Sequence, residues 1–190
     1  MADKVPVAVL LSGRGSNMQA LVEASRAPES RIEIILVASD RPDAPGLAWA
    51  GAQGIACWSL SPKGLDKAAH EAALDAALRE AGAAFIALAG YMRILSADFV
   101  ARWEGRILNI HPSLLPKYKG LDTHARAIEA GDKIAGCTVH IVTPELDSGE
   151  ILGRAVVPIL PGDTADALAK RVLAAEHRLY PRLLAEFVTR

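Results

Sequence analysis

The chain has 190 residues, of which 51% are apolar and only 5% aromatic, and its 21 basic and 22 acidic residues leave a formal net charge of −1. This balance offers no basic excess for a nucleic acid and no polybasic stretch for a membrane surface, so we expect neither partner. No apolar run reaches the ~20 residues of a membrane helix, and the short run near the start lacks a cleavage site. We therefore expect a cytoplasmic protein with a single domain over residues 1–190.

Short apolar runs alternate with helical patterns from the start of the chain. Runs that are β-branched or continuously apolar are typical of strands buried on both faces of a sheet. The predicted strands are 5–11, 32–38, 55–58, 85–89 and 107–110, and the predicted helices are 16–26, 44–53, 66–81 and 96–103. This order predicts an α/β fold, with a mostly parallel, twisted sheet and helices on both of its faces.

The pattern changes after Pro112. Residues 138–142 alternate between polar and apolar, and the apolar run 151–157 follows a turn-rich stretch, so these two segments can form an antiparallel extension and bring the sheet to about seven strands. A last helix is predicted over 164–188. Because proline lacks an amide hydrogen and clashes with the preceding turn, we expect Pro181 to kink or divide it.

The two cysteines, Cys57 and Cys137, lie far apart and outside any CxxC pattern. We expect two buried, unpaired thiols, as in a reducing compartment.

A glycine-rich turn, Ser-Gly-Arg-Gly-Ser-Asn at residues 12–17, joins the first strand to the first helix. Open α/β sheets bind ligands at the carboxyl ends of their strands, and the amides of a helix N-terminus favour an anion. The turn has Met18 where a dinucleotide fingerprint has glycine, and it lacks the Lys-Ser/Thr of a P-loop. A phosphate site and a plain tight turn, with Ser16 or Asn17 capping the helix, explain the pattern equally well.

The segment 107–116, Ile-Leu-Asn-Ile-His-Pro-Ser-Leu-Leu-Pro, ends an apolar strand with two polar side chains. Period-2 alternation points Asn109 and His111 to the same face of the sheet, where such a pair is costly unless a ligand uses it. Pro112 disfavours the helical conformation for His111, which keeps the imidazole at the strand end. An amide N–H and an imidazole suit a carbonyl oxygen that becomes an oxyanion.

The Asn-x-His-Pro-Ser-Leu-Leu-Pro run resembles the signature of the folate-dependent formyltransferases. That family pairs it with an aspartate in a later Asp-x-Gly loop, matched here by Asp147 within 146–149. Residues 12–17, 89–95 (Ala-Gly-Tyr-Met-Arg-Ile-Leu) and 175–177 (Ala-Glu-His) are similar, in order, to the glycinamide ribonucleotide formyltransferase branch. The five motifs extend the resemblance from Val5 to about Pro181.

The resemblance implies a Rossmann-like formyltransferase fold and a reaction of purine biosynthesis. The formyl group of 10-formyltetrahydrofolate, the co-substrate, would pass to the amine of glycinamide ribonucleotide through a tetrahedral oxyanion. Asn109 and protonated His111 would donate hydrogen bonds to it, while Asp147 would stabilise the imidazolium and move the amine proton through a water. The resemblance also implies a phosphate-binding half of about 1–90, a folate and catalytic half of about 91–190, only small-molecule partners, a monomer or homodimer, and no metal.

Further residues carry over from the family to this chain. Gly15, Ser16 and Asn17 would bind the acceptor phosphate, and Glu176 the ribose hydroxyls. The folate pocket would use Asn109, the Met92, Arg93, Ile94 and Leu95 segment, and Lys67. Lys67 stands where the family often has an arginine, so the charge is kept and the bidentate fork is lost. Asp122 stands where some relatives have histidine, which leaves a role for this side chain open.

Three other functions compete with formyl transfer to a small acceptor. A formyl-folate hydrolase uses the same three catalytic residues but carries an N-terminal regulatory domain, whereas this sequence begins at its first strand. A tRNA-directed formyltransferase adds a C-terminal nucleic-acid-binding domain, for which no residues remain. A non-catalytic nucleotide-binding module explains the glycine-rich turn but gives no purpose to Asn109, His111 and Asp147. His124, His140 and His177 have no metal-like spacing with His111, and His140 is expected at most to support the site from behind.

Overall fold

The computed structural model describes residues 4–190, which form seven strands and six helices. The strands are β1 (Val5–Leu11), β2 (Ile32–Ser39), β3 (Ala56–Ser59), β4 (Phe85–Leu88), β5 (Ile107–His111), β6 (Ile134–Ile141) and β7 (Ile151–Pro158). The helices are α1 (Ser16–Ser25), α2 (Pro45–Ala52), α3 (Lys67–Glu80), α4 (Ala97–Arg102), α5 (Thr123–Glu129) and α6 (Ala165–Phe187). None of the helices within residues 4–190 has both the length and the apolar character to cross a bilayer.

All seven strands belong to one sheet, in the order β3-β2-β1-β4-β5-β6-β7. Strands β1 to β5 pair in parallel, and β6 and β7 continue the sheet in antiparallel fashion. The predicted α/β fold with its antiparallel extension is therefore confirmed. Because β1, β4 and β5 pair in parallel, their carboxyl ends lie side by side at one end of the sheet. Strand order reverses between β1 and β4, and open sheets of this kind bind ligands at the carboxyl ends beside such a reversal. The division into halves at about residue 90 stays a prediction.

The sheet separates two apolar cores, which confirms helices on both faces. Alternate residues of β1 pack into the two cores, because successive side chains of a strand point to opposite faces of the sheet. Val7, Val9 and Leu11 pack with α1, α2 and α6, whereas Ala8 and Leu10 pack with α3 and α4. Both faces of the central strands are thus buried, which is why those strands read as continuous apolar runs.

Three details differ from the sequence expectations. The pattern does not predict α5, which follows a turn-rich stretch and has no side-chain cap at its start. Cys137 is buried as expected, but the expectation for Cys57 is wrong, because it lies exposed on the edge strand β3. Of the two alternatives expected at Pro181, a kink or a division, the division is wrong, because α6 continues through the proline.

Tight packing on both sides of Pro181 holds α6 together. Tyr180 is fully buried, and its hydroxyl lies 3.0 Å from the Leu88 carbonyl oxygen of β4 and 3.2 Å from the Leu108 carbonyl oxygen of β5. Leu183 and Leu184 are buried in the same core. These contacts fix the helix to the centre of the sheet before and after the proline, which offsets the loss of one helical hydrogen bond.

We expect Tyr180→Phe to lower the free energy of unfolding by about 1–3 kcal/mol, the cost of leaving buried polar groups without their partner. Urea denaturation measures the change. Thr189→Ala removes an exposed hydroxyl that bonds only within the last turn, so it should change stability by about 0.5 kcal/mol or less. Equal effects of the two substitutions would contradict a structural role for the Tyr180 hydroxyl.

Candidate active site

The antiparallel pairing of β5 with β6 sets His140 directly opposite Asn109. The Asn109 amide nitrogen lies 3.2 Å from His140 Nε2, and His140 Nδ1 lies 3.0 Å from the Ile141 carbonyl oxygen. A carbonyl oxygen can only accept, so Nδ1 carries a proton, while Nε2 lies between the Asn109 amide nitrogen and Asp147 Oδ1. His140 thereby holds the Asn109 amide in a defined orientation at the end of β5.

Asp147 bridges two imidazoles. Its Oδ2 lies 3.5 Å from His111 Nδ1, its Oδ1 lies 3.6 Å from His140 Nε2, and the Gly120 amide donates to Oδ2 at 3.0 Å. Burial alone would raise the pKa of the Asp147 carboxyl, but the contacts with His140, the Gly120 amide and His111 together lower this pKa below its usual 3.8. The side chain is therefore a buried, ionised carboxylate at neutral pH.

The loop after β5 forms a backbone hydrogen bond with each of two catalytic candidates, His111 and Asp147. His111 Nε2 lies 2.9 Å from the Tyr118 carbonyl oxygen, so this nitrogen donates and His111 Nδ1 faces Asp147. Gly120, two residues further, supplies the amide that binds Asp147. One short stretch of chain therefore orients both an imidazole and a carboxylate.

Arg126 of α5 holds this loop in place. Its Nη1 donates to the Lys119 carbonyl oxygen at 2.7 Å and to the Leu121 carbonyl oxygen at 3.1 Å, and its guanidinium lies over the Tyr118 ring, 5.2 Å from the centroid. Arg126 could not be identified from the sequence, because α5 was not predicted and its contacts depend on the path of the preceding loop.

The path of the loop to Asp147 explains the Asp-x-Gly motif. Asp147 has a φ of +48°, in the left-handed region, which non-glycine residues occupy only where their surroundings hold them. Two residues on, a Cβ on Gly149 would overlap the Ile141 carbonyl oxygen. Only glycine lets the chain pass this close to the end of β6, and this passage returns Asp147 to the imidazoles.

The structure thus brings Asn109, His111 and Asp147 into one connected cluster, and His140 joins them. Asn109 reaches Asp147 through His140 rather than by direct contact. From the sequence, His140 is expected only to support the site from behind. A usable signal was present, because the alternation of Thr138 and His140 in β6 matches that of Asn109 and His111 in the neighbouring strand.

The glycine-rich turn leaves the start of α1 without a side-chain cap. Gly15 is the N-cap residue at a φ of +74°, and the first turn contains no acidic residue. Helices α3, α4 and α6, in contrast, each begin at a side chain that accepts a backbone hydrogen bond. Capping by Ser16 or Asn17 is therefore not observed, and the first amides of α1 remain available to an anion.

Asn17 and Glu176 meet across helices α1 and α6. The Asn17 amide nitrogen donates to Glu176 Oε2 at 2.7 Å, and burial raises the pKa of Glu176 while this hydrogen bond offsets part of the rise. Within residues 4–190, Asn17 Oδ1 and His177 Nε2 are buried without a hydrogen-bond partner. An open groove of about 500 Å³, lined in part by Ser16 and His177, lies between the same two helices. Buried polar atoms of this kind are rare in proteins, and a polar ligand would satisfy them.

The segment after β4 exposes apolar side chains. Met92 and Ile94 are 64% and 63% exposed, whereas Leu95 is buried between the sheet and α4. Leu121 and Leu146 are also exposed, and each lies next to a residue that forms or holds the Asp147 contacts. Large exposed apolar side chains in segments that carry polar candidate residues are typical of a ligand site.

Arg93 and Lys67 border this segment. Arg93 is half-buried between Met92 and Ile94 in the chain. Lys67 begins α3, and its Nζ lies 4.0 Å from Glu71 Oε1, while the Glu71 carboxylate accepts from the Ser96 amide at 2.8 Å. Lys67 is thus linked to the end of the segment through Glu71. No group of three or more His, Cys, Asp or Glu side chains in the described part of the chain has the geometry of a metal site.

The sequence profile of the formyl transferase family matches residues 5–184. The chain belongs to this family. Its members include phosphoribosylglycinamide formyltransferase of Escherichia coli, which is 42% identical over 182 residues, covering 95% of this chain and 86% of the E. coli protein. The match explains why the folate-dependent formyltransferase motifs occur here in order along nearly the whole sequence.

Family members of known structure share the fold as well as the sequence. The crystal structure of phosphoribosylglycinamide formyltransferase from Brucella melitensis is 55% identical, with a TM-score of 0.94 over 97% of this chain and 96% of that one. The chain is also 45% identical to a segment of the trifunctional purine biosynthetic protein adenosine-3 of Gallus gallus. It covers only 18% of the length of that relative.

The lowered pKa of Asp147 predicts a pH-dependent contribution to stability. Because the folded-state pKa lies below the usual 3.8, ionised Asp147 stabilises the fold at every pH above 3.8, and this contribution is lost as the pH falls through the folded-state value. The difference in free energy of unfolding between wild type and Asp147→Asn should therefore shrink below about pH 4. Chemical denaturation at a series of pH values measures it.

Ser148→Ala is the matched control, because it alters the same loop without removing an ionisable group. Its difference from wild type should not vary over the same acidic range. A pH-independent difference for Asp147→Asn would contradict the lowered pKa.

Proposed function

We propose that this chain transfers the formyl group of 10-formyltetrahydrofolate to the amine of glycinamide ribonucleotide, the reaction of purine biosynthesis that its family resemblance implies. The observation that carries the proposal is the cluster in which buried, ionised Asp147 lies between two imidazoles while His140 holds the Asn109 amide beside them. The name of the E. coli relative supports this choice of substrates.

Asn109 is proposed as the donor to the oxyanion that forms when the amine attacks the formyl carbon. His140 Nε2 lies 3.2 Å from the Asn109 amide nitrogen, so the amide has a defined direction before the substrate arrives. Such a preorganised donor stabilises the charge that develops in the transition state without reorganising during the reaction. The free-energy cost of orienting the Asn109 amide therefore arises during folding and not during the reaction.

His111 and Asp147 are proposed to complete the charge and proton balance. In protonated His111, Nε2–H donates to Tyr118 and Nδ1–H faces the reaction centre and Asp147, which stabilises the imidazolium. The 3.5 Å separation from Asp147 is longer than a normal hydrogen bond, so Nδ1–H is free to donate to the oxyanion. The attacking amine loses a proton, and the ionised Asp147 accepts it through an ordered water and returns it to the leaving folate nitrogen.

The acceptor is proposed to bind at the turn between β1 and α1. Its phosphate would accept hydrogen bonds from the uncapped amides of α1 at Gly15, Ser16 and Asn17. Its ribose hydroxyls would meet Glu176, whose position is fixed by the bond from Asn17, and the unpartnered Asn17 Oδ1 lies beside the same carboxylate.

The folate is proposed to bind against the segment after β4. The exposed side chains of Met92 and Ile94 suit the flat apolar rings of the cofactor, and backbone groups from Arg93 to Leu95 suit their polar edges. Lys67 would attract the anionic tail of the folate as a single charge rather than as a fork. Asn109 would lie between this ligand and the acceptor, because β5 adjoins β4 in the sheet.

Asn109→Ala tests the proposed chemistry. Removing one oxyanion donor typically lowers turnover by about 100- to 1000-fold, so kcat should fall by this factor. The KM of the acceptor should change far less than kcat, because the interaction strengthens only in the transition state. Steady-state rates of formylated product formation measure both constants, and thermal melting checks that the variant is folded.

Gln53→Ala serves as the matched control, because it also truncates an amide but lies at the end of α2, where it bonds the exposed Arg26. This variant should keep wild-type kcat. Wild-type turnover by a folded Asn109→Ala protein would contradict the assigned role.

A further inference from the structure

The side chain of Ser12 joins two loops that are 80 residues apart in the sequence. Ser12 follows β1 and begins the glycine-rich turn, and its hydroxyl oxygen accepts a hydrogen bond from the Met92 amide at 2.9 Å. The same hydroxyl donates to Asp40 Oδ1 at 2.6 Å. Ser12 and Asp40 are only 5% and 7% exposed, so this chain of hydrogen bonds is shielded from water.

The chemistry of the three groups fixes the direction of both bonds. An amide can only donate and a carboxylate can only accept, so the hydroxyl hydrogen must point to Asp40 and a lone pair must point to Met92. Bonds to a charged group are stronger than neutral ones, and consecutive hydrogen bonds strengthen one another in a buried site. A hydroxyl with both a fixed donor and a fixed acceptor has one orientation. A displacement of the turn after β1 therefore changes the hydrogen bond to the segment after β4, and the reverse also holds.

The backbone around Ser12 is held as firmly as its side chain. The Ser12 amide donates to the Gly90 carbonyl oxygen at 3.0 Å, which extends the pairing of β1 with β4 beyond their ends. The carbonyl oxygen of Gly13 accepts from the Gly46 amide at 3.1 Å, which ties the turn to α2. The turn that follows β1 therefore cannot shift without moving either the start of the segment after β4 or the Ser12 hydroxyl.

We infer that Ser12, held by Asp40, is a positioning residue that couples the binding of the two substrates. The inference rests on the proposed function, which assigns the acceptor phosphate to Gly15–Asn17 and the folate to Met92–Leu95. Because the turn cannot shift by itself, any adjustment of the turn on phosphate binding is passed through the Ser12 hydroxyl to the Met92 amide and the backbone that follows. By thermodynamic linkage, folate binding favours the acceptor by the same factor.

Calorimetric titration of the wild type with glycinamide ribonucleotide, with and without saturating tetrahydrofolate, measures the coupling. Tetrahydrofolate has no formyl group to transfer, so both ligands remain intact. We expect it to lower the Kd of the acceptor by about fivefold or more, the lower end of typical coupling between sites. In Ser12→Ala the ratio of the two Kd values should fall to about 1, while the Kd of each ligand alone stays within about threefold of wild type.

Two further variants make the result decisive. Ser25→Ala removes an equally buried hydroxyl that bonds only within α1, to the Val22 carbonyl oxygen, so it should keep the wild-type ratio. Asp40→Asn keeps the shape of the group that accepts the Ser12 hydrogen bond but removes its charge. The ratio of the two Kd values should therefore lie between those of wild type and Ser12→Ala.

A wild-type ratio of 1 would overturn the inference, and so would an unchanged ratio in Ser12→Ala. An equal loss of affinity for both ligands in Ser12→Ala would also overturn it, because the residue would then be merely structural. If Ser12→Ala does not fold, Asp40→Asn decides, and an unchanged ratio there overturns the coupling. Failure of the wild type to bind either ligand would instead contradict the proposed function.

Discussion

The parallel pairing of β1, β4 and β5 is the constraint on which the site depends. Parallel strands end at the same edge of a sheet, so the turn after β1, the segment after β4 and the polar end of β5 must meet, although about 100 residues separate the first from the last. The reversal of strand order between β1 and β4 puts α1 and α4 on opposite faces and leaves the edge open between them. The three segments that carry the candidate site residues therefore lie next to one another.

The antiparallel extension adds what parallel strands cannot provide. Strand β6 runs beside β5 with His140 opposite Asn109, so the amide is oriented by a side chain from a neighbouring strand. The loop between β6 and β7 then folds back, and its passage at Gly149 sets the buried carboxylate of Asp147 against both imidazoles. The charge of Asp147 is stable there because three donors and charges outweigh its desolvation.

Those parts of the fold that depend on local pattern could be predicted from the sequence. Buried strands form continuous apolar runs, so the sheet, its parallel part and its antiparallel extension follow from residue order. Helix α5 could not be predicted, since it is short and uncapped, and neither could the continuity of α6 at Pro181, because distant contacts of Tyr180 hold it. Local propensity is a weak guide where tertiary packing decides.

The residues of the candidate site also differ in whether they could be predicted from the sequence. Asn109 and His111 stand out through alternation within one strand, whereas Asp147 is identified only through family resemblance, because its position depends on a loop path. The contacts of His140, Arg126 and Ser12 depend on strand register and loop geometry, which a single sequence does not specify. The glycine-rich turn is ambiguous in the sequence, because the missing side-chain cap at the start of α1 is visible only in the structure.

Acceptor dependence tests the central claim most directly, because the same three residues could also direct water to the formyl group. The rate of loss of 10-formyltetrahydrofolate should be measured with purified wild-type protein in the presence and absence of glycinamide ribonucleotide. Our account predicts rapid loss with the acceptor, one formylated product for each folate consumed, and no loss above the buffer rate without it. Equally fast loss in both samples, with release of formate, would contradict it and identify a hydrolase.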